Sequence, residues 1–432
     1  MPSLGTPGRR VAIVAGVRTP FTRAGTAFKD MTAIDLGKHC VAELIQRTNL
    51  DGKDVEAVVY GTVVPSVVAP NIAREVSLMP MLPRGCEAYT VSRACASANQ
   101  AITDAADQIV LGHHDVVIAG GAESLSTVPI LHSRTMSEKL VALSRAKSPA
   151  QQLRILSSFR PRDLVPITPA IAEPSTGETM GQSAEKMAKI NHIAREAQDQ
   201  FALRSHRLAG VGTSDGRLTS EIAPLYVPPR FENAVTSDNG IRSDTSIDKL
   251  RELKPVFDKR YGTVTAGNSS PLTDGASAVL LMSEERARSL GYEPLAFIRS
   301  YAYAALDPGE QLLMGPVLAA PVALQRAGLQ LGHMDLIEMH EAFAAQVLCN
   351  LEGFESHEWA ERAGFSEPVG EVDRSKLNVM GGSIAIGHPF GATGGRILTT
   401  LVHELIRRNG EFGLMTVCAA GGMGNAMVVE RG

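Results

Sequence analysis

The run Val91-Ser92-Arg93-Ala94-Cys95-Ala96-Ser97-Ala98-Asn99-Gln100-Ala101 decides how the chain is read. A β-type stretch, Ala88-Tyr89-Thr90-Val91, ends on its first residue, and an Ala-rich helical pattern takes over at its end. That predicts a strand passing into a helix through a short turn, with Cys95 in the turn beside the first unpaired N–H groups of the helix. Positive partial charge there favours thiolate and hence nucleophilicity. A lone Cys is more often a small apolar core residue. Cys95 becomes chemically interesting only if the chain also supplies a base, an acid and an oxyanion site.

Outward from this turn, strand and helix patterns alternate. Strands are expected at Val11–Ala15, Val55–Tyr60 and Asp115–Gly121, and an amphipathic helix at Ala33–Thr48. Strands this continuously apolar are those buried on both faces of a helix-covered sheet. From about Ser124 to Arg260 the alternation stops, leaving helical pieces and Pro-rich connections at Pro161–Pro174 and Pro224–Pro229. Inside it, Leu131–Arg162 carries Arg134, Lys139, Arg145, Lys147, Arg154, Arg160 and Arg162 against Glu138 alone. Met136, Leu140 and Leu143, then Leu153, Leu156 and Phe159, recur at helical spacing around Ser148-Pro149, which predicts a basic amphipathic helical hairpin. Such a hairpin is either a solvated face or a contact for an anionic membrane surface or a partner subunit.

A second α/β half follows. Strands are expected at Ala278–Met282, Ala296–Tyr303, Gly413–Cys418 and Ala426–Glu430, with helices at Pro316–Ala327, Glu341–Leu351 and Arg396–Arg408. In each half a small-residue turn carrying a reactive side chain (Cys95, then His388) leads into a helix. A later strand in each ends in a Gly turn, at Gly120-Gly121 and at Gly421-Gly422. This is a weak internal repeat with a large insertion after the first copy. The division expected is an N-terminal half over 1–124 completed by 261–289, a loop domain over 125–260 containing the hairpin 131–162, and a C-terminal half over 290–432.

Composition narrows the function. The 432 residues are 44% hydrophobic and 20% charged with formal net charge −4, which gives no reason to expect nucleic acid as a partner. Cys40, Cys86, Cys95, Cys349 and Cys418 are an odd, scattered set without a CxxC pair, which argues for reduced thiols and against a disulfide framework or zinc site. No apolar signal region precedes the first strand and no run is long enough to span a bilayer, so a soluble cytoplasmic protein of bacterial type is expected.

The densest glycine cluster, Gly381 to Gly395, contains neither GxGxxG nor GxxxxGK, so neither a dinucleotide loop nor a P-loop fits. It holds His388 in a turn ahead of a helix. Cys418 ends an apolar strand before Gly421-Gly422-Met423-Gly424. His340-Glu341 opens no H-E-x-x-H, so no metal is expected. A nucleophilic Cys, a His to deprotonate it and a second Cys as acid/base describe thioester chemistry with an enolate; a hydrolase needs no second acid beside the sulfur.

These segments resemble the thiolase family in order and over nearly the whole chain. They are the Cys95 turn, His340-Glu341-Ala342-Phe343, Gly387-His388-Pro389-Phe390-Gly391-Ala392-Thr393-Gly394 and Cys418-Ala419-Ala420-Gly421-Gly422, with Met180-Gly181 and Thr263-Val264-Thr265-Ala266-Gly267-Asn268 matching the coenzyme A side. His340, where most thiolases have Asn, and the basic hairpin resemble the subgroup containing the β subunit of the trifunctional fatty-acid oxidation complex and its bacterial counterparts. The resemblance implies two similar βαβαβαββ halves in a five-layered α-β-α-β-α core plus an inserted loop domain. It also implies coenzyme A-dependent cleavage of 3-ketoacyl-CoA in fatty-acid β-oxidation. Cys95 would be the nucleophile, His388 its base and Cys418 the acid/base for the enolate. One oxyanion site would use His388 and a water held by His340, the other the N–H groups of Cys95 and Ala420, where relatives commonly have Gly. Met180, Ala266, Gly267, Ser270 and Ala420 would meet coenzyme A and substrate, and no bound cofactor is implied. His340 titrates near neutrality where Asn does not, so an altered pH profile is expected. The partners implied are a second copy in a homodimer core and an enoyl-CoA hydratase/3-hydroxyacyl-CoA dehydrogenase subunit in a heterotetramer, with peripheral membrane contact through the hairpin. The alternatives are an acetyl-CoA C-acetyltransferase running condensation and a non-catalytic thiolase-fold protein binding acyl-CoA or lipid. A decarboxylating ketosynthase is disfavoured, because that class needs a second His where this chain has Cys418.

Overall fold

The computed structural model describes residues 9–167 and 172–432. The start at 1–8 and the part of the Pro-rich connection at 168–171 lie outside them. The chain forms two compact units, one of residues 1–127 and 173–432 and a small one of residues 128–172.

The large unit is built on two copies of one pattern. In the first half, β1 (Val11–Arg18), α1 (Ala33–Thr48), β2 (Ala57–Gly61), β3 (Glu87–Val91), α2 (Ser97–Val110) and β4 (Val116–Glu123) follow in sequence. The small unit contributes α3 (Arg134–Arg145) and α4 (Pro149–Leu156), and then come α5 (Met180–Ile190), α6 (Arg195–Ser214) and β5 (Thr273–Ser283). The second half runs β6 (Ala296–Ala305), α7 (Gly315–Ala327), β7 (Leu336–Met339), α8 (Ala344–Phe354), α9 (Thr393–Arg408), β8 (Phe412–Ala419) and β9 (Met423–Arg431). Strand order is β7-β8-β9-β6-β1-β5-β4-β2-β3. Read outward from β1 and from β6, each half has the same order of first, last, penultimate and second strand. Leu377 pairs in parallel with Ile337, where β3 stands beside β2 in the first half. The two arrays meet through Ala12↔Phe297 and Ile13↔Ala296.

The period of two along each strand makes the layers. On β4, Val117 and Ala119 join one core and Val116 and Ile118 another; on β8, Met415, Val417 and Ala419 separate from Leu414 and Cys418 in the same way. The shared middle core holds residues of α2 and α9 together with strands of both halves. The outer cores hold α1 on one side and α7 and α8 on the other. The result is the expected five-layered α-β-α-β-α arrangement, with the two middle helices against each other.

Several boundaries differ from the sequence reading. Ala33–Thr48 is found as expected. The helix expected from Glu341 starts at Ala344, because His340–Phe343 form a loop whose backbone bonds elsewhere: the His340 N–H donates to Thr416 O and the Ala342 carbonyl accepts from the Ser270 N–H. The supposedly irregular 124–260 contains the twenty-residue α6, which buries Gln198, Asp199, Ser205 and His206 and so lacks a clean apolar stripe. In the small unit both hairpin helices form; Lys139 Nζ donates to Asp163 Oδ2 at 2.5 Å and to the Ser158 carbonyl at 2.6 Å. Leu140, Val141, Leu153 and Leu156 are exposed.

Candidate active site

The reactive groups come from the turns at the ends of the middle helices and from strand ends. Ahead of α2, Ala94 takes φ +45°, a left-handed conformation unusual for a residue with a Cβ. Ser97 closes that turn, its hydroxyl accepting from the Arg93 N–H at 2.8 Å and donating to the Ala94 carbonyl at 2.7 Å. Ahead of α9, the His388 turn sits against the first half without room for side chains. A Cβ on Gly391 would lie 2.8 Å from Gly61 O and 2.9 Å from Ala122 O. The Gly391 N–H donates at 3.0 Å to Glu123 Oε2, and the same carboxylate accepts from the Val63 and Val64 N–H groups at 2.9 and 3.0 Å. Glu123 therefore ties the end of β4 to the turn that carries His388.

This places His388 Nε2 3.2 Å from Cys95 Sγ. His388 Nδ1 lies 2.7 Å from Thr393 Oγ1, and the Thr393 hydroxyl lies 3.1 Å from the Pro389 carbonyl. A carbonyl only accepts, so the Thr393 proton goes to Pro389 and the hydroxyl accepts from Nδ1–H. The Nε2 lone pair is left facing the thiol. Burial pushes His388 down to about 3, with Arg396 adding to the effect, so the imidazole is neutral and able to act as a base.

The thiol behaves differently from the sequence expectation. Cys95 keeps some accessible surface, yet its sulfur is packed closely enough that burial pushes it up to about 11. The N–H groups of Ala420 and of Cys95 itself pull in the other direction and do not prevail. The resting pair is neutral thiol and neutral imidazole. The helix start does not produce a standing thiolate, because desolvation outweighs partial backbone charge. Cys418, at the end of β8, is buried and pushed well above the usual thiol range by burial and then by Cys95.

His340, fully buried at the end of β7, stacks obliquely on His388 with ring centroids 4.2 Å apart. Burial, followed by His388 and Arg396, lowers it well below the ordinary histidine value. The altered pH profile expected from a titrating His340 is thereby corrected: it is neutral across the working range. Cys95, His340 and His388 bring one donor atom each within 4.8 Å of one another. The loop around them is fixed by Glu341, whose carboxylate accepts from Ser205 Oγ at 2.7 Å, Asn378 Nδ2 at 2.8 Å and the Ile384 N–H at 3.2 Å.

A pocket of about 290 Å³ opens beside this loop, bounded among others by Ile384, Ser269, Ala266, Gly267, Arg242 and Lys249. Ala266 and Gly267 line this cavity. Met180 and Ser270 are not among its lining residues. Met180 starts α5 and packs on the outer core, and Ser270 acts through its N–H on the Ala342 carbonyl at 2.9 Å. The sequence reading missed Thr393, Ser383, Glu123 and the charged wall of Arg23, Arg242 and Lys249, the last paired with Asp244 at 2.8 Å. Thr393 and Ser383 lay inside motifs already quoted, but their partners are set by the turn.

Residues 11–285 match the model for the thiolase N-terminal domain and residues 292–431 the model for the thiolase C-terminal domain. The chain belongs to the thiolase family. It is 51% identical over 424 residues to a 3-ketoacyl-CoA thiolase of Aeromonas salmonicida, covering 98% of this chain and 97% of that protein. It is 50% identical over 431 residues to the 3-ketoacyl-CoA thiolase of Pectobacterium atrosepticum, covering 100% and 98%. Among solved structures, human mitochondrial 3-ketoacyl-CoA thiolase in complex with CoA superposes with a TM-score of 0.83 at 32% identity, covering 100% of this chain and 99% of that one. The Bacillus anthracis acetyl-CoA acetyltransferase superposes equally, with a TM-score of 0.83 at 34% identity, covering 98% and 99%. Among the described residues no helix is long and apolar enough to cross a membrane.

Proposed function

We propose that this chain is a 3-ketoacyl-CoA thiolase, an acyltransferase that cleaves 3-ketoacyl-CoA with coenzyme A to acetyl-CoA and an acyl-CoA two carbons shorter. Full-length identity of about half to 3-ketoacyl-CoA thiolases supports the reaction. The 3.2 Å Cys95–His388 contact is the single observation that carries the mechanism.

In that mechanism His388 Nε2 takes the Cys95 proton as sulfur attacks the 3-keto carbon. The Cα–Cβ bond breaks, the acyl group stays on Cys95 as a thioester, and the electron pair goes to the acetyl-CoA enolate. Cys418 protonates the enolate carbon. Cys418 then takes the thiol proton of incoming coenzyme A, whose sulfur attacks the thioester and releases Cys95 to recover its proton from His388. Negative oxygen would be met by His388 with His340 on one side and by the Cys95 and Ala420 N–H groups on the other, the two backbone groups that favour negative charge on the Cys95 sulfur. Arg242 and Lys249 suit the phosphates of coenzyme A, and Ala266 and Gly267 its pantetheine end. Met180 and Ser270 would act from behind this wall. Thiolysis assays over an acyl chain-length series test the reading: activity on long 3-ketoacyl-CoA is expected, whereas strict preference for acetoacetyl-CoA would favour the acetyltransferase alternative.

A homodimer core, a hydratase/dehydrogenase partner subunit and membrane contact through the hairpin belong to the same proposal. The exposed leucines beside the basic residues of α3 and α4 support the last two. Deleting 131–162 is expected to abolish partner or vesicle binding while thiolysis persists; binding that survives the deletion refutes it.

A further inference from the structure

His340 is fixed by a chain of hydrogen bonds that the reaction scheme does not use. Its Nδ1 lies 3.0 Å from Ser383 Oγ, and Arg396 Nη2 lies 2.8 Å from the same oxygen. These are the only hydrogen-bond partners of Ser383 Oγ among the described residues. A guanidinium donates and never accepts, so one Ser383 lone pair is taken by Arg396 and the hydroxyl proton has one acceptor, His340 Nδ1. The ring proton must then sit on Nε2, the atom that is fully buried and has no partner in the protein. Arg396 is itself buried, and its guanidinium, which stays protonated in proteins, keeps a positive charge beside the hydroxyl and strengthens it as a donor.

We propose that Ser383, held by Arg396, is a positioning residue that locks His340 in the Nε2–H tautomer, so that it offers a hydrogen-bond donor to the oxygen that becomes negative beside Cys95. The inference rests on the oxyanion role proposed for His340 above. Two stacked imidazoles are thereby held in opposite tautomers. Thr393 Oγ1 accepts a hydrogen bond from Nδ1–H of His388, which leaves a lone pair at Nε2, while the Ser383 hydroxyl donates to Nδ1 of His340, which leaves N–H at Nε2. The opposite state of His340 would turn a lone pair toward the developing charge and compete with His388 for the thiol proton. An Asn in its place needs no such device, because its amide always carries donors.

The test is steady-state thiolysis by Ser383→Ala and Ser383→Thr in the wild-type and His340→Asn backgrounds, with melting temperatures to confirm folding. Removing an oxyanion donor outright costs about 10²–10³ in kcat, and releasing its tautomer costs part of that. Ser383→Ala is expected to lower kcat about 10-fold with KM within about 2-fold, and Ser383→Thr to restore kcat to within about 3-fold. In the His340→Asn background Ser383→Ala is expected to change kcat by less than about 2-fold. An equal loss in both backgrounds means a merely structural role and overturns the relay. In ¹⁵N-histidine-labelled full-length enzyme, the His340 signal (identified by its disappearance in His340→Asn) is expected to show a directly bonded proton on Nε2 and none on Nδ1. A proton on Nδ1 also overturns the relay. If His340→Ala retains full kcat, the oxyanion role itself fails; if it loses activity while Ser383→Ala shows no dependence on background, the relay alone fails.

Discussion

Replacing Thr393 by Val removes one hydroxyl at the first residue of α9 and keeps the shape of the side chain. In the resting site that hydroxyl accepts from neutral His388, a bond with a net worth of about 1 kcal/mol. In the proposed step in which His388 takes the Cys95 proton, the same bond would be made to an imidazolium, and bonds to charged groups contribute about 1.5–3 kcal/mol. The difference, about 0.5–2 kcal/mol, is present only as charge develops and therefore acts on the barrier. At about 1.4 kcal/mol per tenfold, the first-step rate should fall about 2–30-fold. Leaving Nδ1–H unpaired should also lower stability by about 1–3 kcal/mol, whereas the Pro389 carbonyl keeps the N–H groups of Ala392 and Thr393. Rapid-quench measurement of Cys95 acylation by 3-ketoacyl-CoA, without free coenzyme A, isolates this step, and calorimetry reads the stability. An acylation rate equal to wild type in a folded variant would show that Thr393 does not orient the base.

Other outcomes follow from the same geometry. Gly391→Ala should destabilise by about 1–3 kcal/mol or more and cut activity severely, because the new Cβ meets backbone at Gly61, Ala122 and Thr62 and displaces the His388 turn; wild-type melting and kinetics would contradict the close approach. With His388 held down to about 3 and Cys95 up to about 11, both partners are neutral between those limits. Single-turnover acylation should therefore show no inflection near the ordinary histidine value of about 6.5, and a limb there would refute the neutral pair. Glu338 is pushed up to about 8 by burial. A carboxyl with a raised folded pKa is most favourable to folding below its unfolded value and loses that contribution as pH rises toward about 8. Glu338→Gln should accordingly lessen the fall in melting temperature between pH 5 and 8.5, and an unchanged slope would refute this.

The strands were legible because burial on both faces leaves them continuously apolar, as in Val116–Gly121 and Ala278–Met282. The twofold repeat was legible from the two Gly turns and from the reactive residue placed before each middle helix. α6 was not, because it spends its buried face on Gln198, Asp199, Ser205 and His206, which bond to specific partners. β7 was missed as well: four residues containing the buried Glu338 carry too short a pattern. At the site, Cys95 and His388 stood out through their glycine and small-residue surroundings. The ionisation of Cys95 did not, since helix charge is local and readable whereas the opposing burial comes from elements far along the chain. Ser383, 43 residues from His340 and 13 from Arg396, became significant only when the turn brought the three together.

The central claim is that Cys95 carries the acyl group with His388 as its base. The most direct test is peptide mass spectrometry on enzyme acid-quenched after one turnover with a 3-ketoacyl-CoA in the absence of free coenzyme A. One acyl group, two carbons shorter than the substrate's, is expected in thioester linkage on the peptide containing Cys95, and its loss is expected in His388→Ala. Acetyl-CoA release with the label on Cys418, or with no label on any cysteine, would contradict it.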